Sequence, residues 1–187
     1  MEIPVKTTVS LVCLILLASL TAGGAEIEKV AQICQTGICL YWWPKLPKIE
    51  GWHQDQTASM QFGVNALAPD GFIFTNAVAV MYANASYKPR DPETKSMQMF
   101  IAADERQFEA SERGVQIAEV KPLMTADGKL MRSFTFFPKS RGNWEQVAYG
   151  DEGEYYLTFV LSSKSKTGFQ DAEGAYRELI AHYKEKM

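Results

Sequence analysis

Histidine is scarce: the chain has two in 187 residues, His53 and His182. There is no His-Glu-x-x-His pattern, no paired histidine and no loop of alternating Asp and Asn, so the usual zinc and calcium signatures are missing. No Gly-rich loop opens a helix, which removes the common phosphate cradle. No Gly-x-Ser-x-Gly elbow presents a nucleophile. A basic excess is also lacking. The formal net charge is −3, whereas nucleic-acid binders and polybasic membrane anchors carry clustered positive charge. Nucleic acid is therefore not an expected partner, and no metal or cofactor is expected.

Long apolar runs are limited to one. Val9 to Leu20 is about a dozen residues, signal-peptide length and short for a bilayer span. Lys6 precedes it, and Ala22, Gly23, Gly24 and Ala25 follow. This pattern predicts a leader over residues 1–25 that is removed on export, leaving a periplasmic or secreted domain over 26–187 with no integral membrane segment. Cys13 lies inside the run, not at a cleavage point, which excludes a lipoprotein anchor. The retained cysteines are Cys34 and Cys39. In an oxidising compartment they are expected to pair and staple the N-terminal segment 26–50. Four residues separate them, not the two of a thioredoxin-type redox motif.

What is present is periodic apolar sequence. Tyr155, Leu157, Phe159 and Leu161 alternate with Tyr156, Thr158, Val160 and Ser162, the period of a half-buried strand. Trp144–Tyr149 precedes it across Gly150–Gly153, which predicts a hairpin. Phe169, Ala172, Tyr176, Leu179, Ile180 and Tyr183 then fall on one helical stripe, with Thr167 and Gln170 as a capping box. Alternation also predicts strands at Ala58–Ala66, Val78–Tyr87, Val115–Val120 and Leu130–Phe137. Pro69-Asp70-Gly71 and Asp127-Gly128 mark turns. Asp91-Pro92-Glu93 predicts the start of a helix with Met97, Phe100, Ile101 and Phe108 on its apolar stripe. Asp104 falls within that stripe, either where the helix leaves the sheet or beside a cation. Glu26–Gln35 is expected to be a short helix. The fold class is α+β, an antiparallel sheet of about six strands with two main helices packed on it.

Two places carry the candidate site residues. Tyr41, Trp42 and Trp43 are consecutive, so they cannot all point inward, and large amphipathic rings favour recognition surfaces. Arg90, with Lys88, makes a small cationic spot beside the predicted helix start. Trp52 anchors a polar loop in which His53 precedes Asp55 by two residues. A carboxylate so placed can orient a histidine as a base, which gives a hydrolase as the alternative to a binding role. A structural envelope component is a further alternative.

The closing unit, Tyr155–Ser162, then Ser163-Lys164-Ser165-Lys166-Thr167, then the helix with Tyr176, Leu179 and Ile180, resembles that of the PsbP-like and Ran-binding Mog-like fold. Ala58–Ala66 followed by Pro69-Asp70-Gly71-Phe72 is compatible with its early part. Gly51-Trp52-His53 and Asn65-Ala66-Leu67-Ala68-Pro69-Asp70-Gly71 are similar to segments of uncharacterised exported bacterial proteins. The resemblance implies a binding or accessory role, with no catalytic residues carried over. The photosynthetic partners of the family are not implied, and the cysteine-bearing N-terminal segment departs from its pattern. The expectation is a non-enzymatic exported module whose partner is a protein or a small apolar ligand.

The exported product should begin near Glu26 and be lighter than its reduced form by the two hydrogens of one disulfide. A mass spectrum taken with and without reductant checks both. A mass that retains residues 1–25 would contradict removal of the leader.

Overall fold

The computed structural model describes residues 27–34 and 37–184. The expected leader lies outside them. The N-terminal segment is a hairpin of β1 (Ile27–Cys34) and β2 (Gly37–Pro44), paired in register from Ile27↔Pro44 to Cys34↔Gly37. The helix expected over Glu26–Gln35 is therefore not formed in its described part. Gly37 adopts a φ of +125°. Cys34 and Cys39 lie at disulfide distance across the hairpin, with Cα atoms 6.0 Å apart. A chain that doubles back this tightly pairs its two arms as strands.

Next come β3 (Trp52–Gln54), α1 (Gln56–Phe62), β4 (Asn65–Pro69), β5 (Ala79–Tyr87) and a 3-10 turn at Lys88–Arg90. They are followed by α2 (Met97–Ser111), β6 (Gln116–Met124), β7 (Leu130–Phe137), β8 (Trp144–Glu152), β9 (Tyr155–Ser163) and α3 (Lys166–His182). The strand expected at Ala58–Ala66 is divided between α1 and β4. Asp55 caps the helix by accepting from the Ala58 amide, and Gly63 ends it in the left-handed region. Two cap signals thus override a short alternation.

The main sheet has seven strands in the order β3-β4-β5-β9-β8-β7-β6, and every neighbouring pair is antiparallel. The α+β class holds, with one more strand than expected, a separate two-stranded hairpin and a third helix. β3 is three residues long at one edge. The other edge, β6, is irregular between Val120 and Leu123, around Lys121 and Pro122. Both features discourage pairing with another chain. No helix among the described residues is long and apolar enough to cross a membrane.

Both faces of the sheet are covered. On one, α3 places Phe169, Ala172, Tyr176, Leu179 and Ile180 against Met81, Leu157, Phe159 and Leu161. The Tyr176 hydroxyl donates to the Phe159 carbonyl at 2.8 Å, so this buried ring keeps a partner for its polar atom. Ser165, not Thr167, is the N-cap of α3 and accepts from the Gly168 amide. On the other face, α2 packs Ile101, Phe100 and Phe108 against Phe134, Phe136, Val147 and Tyr149. This helix starts at Met97 with Ser96 as its cap. Asp91–Thr94 forms a turn before it.

Asp104 points inward from α2 with no ion-pair partner among the described residues, and the Tyr149 hydroxyl donates to it at 2.5 Å. Burial raises its pKa, and the tyrosine bond only partly offsets this. Burial likewise raises Glu145, opposed by bonds from Ser162 and Asn143. A carboxyl whose pKa rises on folding binds its proton more tightly in the folded state. Its contribution is therefore greatest below the unfolded value, about 4, and is lost as pH rises through the folded one. Asp104→Asn keeps an acceptor for Tyr149 and removes the ionisation. Its urea midpoint should exceed that of the parent at neutral pH, with a shallower decline as pH rises above about 4. Parallel pH profiles for the two proteins would contradict the assignment.

Candidate functional site

The two strands beside β5 differ in reach. β9 pairs with all of β5, from Ala79↔Ser163 to Tyr87↔Tyr155. β4 pairs only with Met81–Ala83. One edge of β5 is thus free of β4 beyond Ala83, and β2 packs alongside it. The end of β2 is tied down by a buried amide: Asn65 Nδ2 donates to the Pro44 carbonyl at 3.0 Å, and Gln54 Nε2 donates to Asn65 Oδ1 at 2.8 Å. Tyr41 lies over the left-handed end of α1, where a Cβ on Gly63 would be 2.3 Å from its ring.

Between β2, the end of β5 and the start of α2 lies a cleft of about 310 Å³. Its walls are aromatic. Trp42 stacks on Tyr87 at 5.3 Å between ring centres, and Phe100 stacks on Tyr156 at 4.9 Å. Two cations sit on these rings: the Arg90 guanidinium is 4.4 Å from the centre of the Trp42 ring, and the Lys88 ammonium is 4.6 Å from that of Tyr156. Lys88 is already engaged, donating to Asp151 at 2.6 Å and to the Gly153 carbonyl at 2.7 Å. Arg90 makes one long hydrogen bond, to the Leu40 carbonyl at 3.4 Å, and has no carboxylate within ion-pair distance among the described residues. Asn84 also lines the cleft, and its Oδ1 is buried without a donor among the described residues.

No protein-family model and no curated protein sequence matches this chain.

Trp52 and His53 lie elsewhere, beside a larger cavity of about 760 Å³ between the Lys45–Gly51 connector and β3. His53 Nδ1 is 3.3 Å from Asp70, and both side chains are well exposed. Asp55 is otherwise occupied. Its two oxygens accept from the amides of Ala58 and Phe74, each at 2.9 Å. These backbone bonds hold its carboxyl below the ordinary value. Asp55 is thus a helix cap that also fixes the Phe74 loop, and the imidazole meets Asp70 instead. Trp43 belongs to neither group: it is 3 % exposed, and its indole nitrogen finds no acceptor among the described residues. Of the candidates, Tyr41, Trp42 and Arg90 come together, while Trp52 and His53 form a separate pair.

Asn84, Tyr87, Phe100 and Tyr156 complete the cleft. Alternation and helical spacing place them on a strand or an apolar stripe, but neither distinguishes a ring that fills the core from one that walls an opening. The overhang of β5 beyond β4 makes that distinction, and it arises from pairing distant in sequence.

Gly63→Ala should force Tyr41 away from α1 and strain a φ of +69°, costing about 1–3 kcal/mol. Gly51→Ala is the control, since Gly51 also has positive φ but nothing within 4 Å of its added Cβ. Urea unfolding should show the larger loss for Gly63→Ala, and equal losses would contradict the tight Tyr41 contact.

Proposed function

We propose that this chain is an exported, non-enzymatic binding or accessory protein that holds a small, largely apolar ligand in the Trp42–Tyr156 cleft. The observation that carries the reading is the convergence of four aromatic rings, those of Trp42, Tyr87, Phe100 and Tyr156, on one cleft. The surrounding rings would bury the body of such a molecule. The PsbP-like or Mog-like relationship is proposed on the same footing. It is supported by the order of elements at the chain's end, a long strand, a short polar turn and a helix packed across the sheet.

The binding role is separable from the His53 region. In native mass spectra of protein recovered from its exporting host, the parent and Trp52→Ala should carry an extra mass that leaves on activation. Trp42→Ala should lose it, with affinity lowered at least about tenfold, as for a central aromatic contact. A bare parent, or retention by Trp42→Ala, would overturn the placement.

A further inference from the structure

The reading of the cleft as a ligand site leaves the charge of the ligand open, and the arrangement of cations answers it. An open aromatic cleft attracts a cationic ligand through its ring faces. Here those positions are occupied from within: Arg90 covers Trp42, and Lys88 covers Tyr156. The carboxylates near the cleft are engaged too. Asp151 holds Lys88, and Asp91 accepts from the Thr94 hydroxyl at 2.5 Å. Asp151 lies outside the cleft lining, and Asp91 is exposed with acceptor capacity left, so the preference for an anion rests on the two cations.

Arg90 differs from these groups. Of the five N–H donors of a guanidinium, it commits one, to the Leu40 carbonyl over a long 3.4 Å. Its position is set from two sides. The 3-10 turn closed by the bond from the Asp91 amide to the Lys88 carbonyl fixes its backbone, and the indole of Trp42 supports its plane. A planar fork held in this way matches a carboxylate through two parallel hydrogen bonds.

We propose that the cleft selects an organic carboxylate: a molecule with a flat apolar body placed among Trp42, Tyr87 and Phe100, and a carboxylate held by Arg90. This inference rests on the ligand-binding reading above and assigns its chemical class. Lys88 is a positioning residue, because its ammonium is spent on Asp151 and the Gly153 carbonyl and acts on the ligand only through Tyr156.

The test uses three matched probes: 2-naphthylacetate, its neutral amide and the corresponding 2-naphthylethylamine. Binding is followed by the indole N–H resonances of the four tryptophans, with Trp42 reporting the cleft and Trp52 and Trp144 reporting the rest of the fold. The acid should shift the Trp42 signal and bind about tenfold more tightly than the amide, the gain of a charge-assisted hydrogen-bond pair. The amine should bind most weakly. Arg90→Gln should cut acid affinity by about tenfold and leave the amide within about twofold. Arg90→Lys, which keeps the charge without the fork, should fall between the parent and Arg90→Gln. Unshifted Trp52 and Trp144 signals in the variants establish that the fold is intact. Equal binding of acid and amide, preference for the amine, or an Arg90→Gln protein with undiminished acid affinity would overturn the carboxylate assignment while leaving the cleft a ligand site. A Trp42 signal that none of the three probes moves would overturn both readings.

Discussion

β9 has no free edge and no free face, and the rest of the molecule depends on that enclosure. β5 and β8 pair with its whole length on either side. α3 covers Leu157, Phe159 and Leu161, while the α2 face holds Tyr156 and Val160. A strand enclosed on four sides cannot slip its register, because a shift of one residue would exchange every side chain between the two cores. The Tyr176 bond to the Phe159 carbonyl adds a directional constraint to apolar packing that has none of its own.

The two faces are not equivalent. The α3 face is mainly apolar where it meets the helix. The α2 face includes Tyr149 joined to Asp104, and Ser162 joined to Glu145 directly across the β8–β9 pair. Desolvation raises both carboxyls and leaves each with a hydrogen-bonded partner rather than a cation. Such groups add less stability than apolar packing, and they make the seating of α2 sensitive to protonation. α2 supplies Phe100 to the cleft while Trp42 packs against the α3-side cluster, so the candidate site draws on both faces at the sheet's edge.

The central and C-terminal elements were legible in the sequence, and the N-terminal ones were not. Tyr155–Ser162 has a period of two, Leu130–Phe137 a partial one broken at Arg132, and Phe169 to Tyr183 a period near 3.6, so local pattern and tertiary burial largely agree there. At Ala58–Phe62 a five-residue alternation competed with Asp55 and Gly63, and the cap residues decided the outcome. At Ile27–Cys34 no strong period existed. The strand forms because Gly37 and the cysteine pair return the chain on itself. Asp91-Pro92 looked like a helix start, but Ser96 caps the helix and the earlier residues turn. Trp42 and Tyr41 were identifiable because three consecutive aromatics cannot all be core, and Arg90 because it forms a cationic spot with Lys88 at a strand end; that the two places meet was not legible. Nor were Asn84, Phe100 and Tyr156, since their residue types are equally at home in the interior.

The mismatch between β4 and β5 explains why a cleft exists at this place. Five residues of β4 cannot cover nine residues of β5, so part of an inner strand would be left as an open edge. The hairpin that covers it belongs to a different sheet and is closed on itself by backbone pairing and by the cysteines. It is attached to the main sheet through Asn65, Tyr41 and Trp42, not through a ladder that would fix every spacing. Backbone pairing would have brought the two strands to about 5 Å and left no room between them. Side-chain docking leaves room, lined by the rings that make the contact. An inner strand covered by a separate hairpin therefore protects the sheet edge and builds a pocket at once, and the volume of that pocket is set by Trp42 and Tyr41 rather than by the packing of the core.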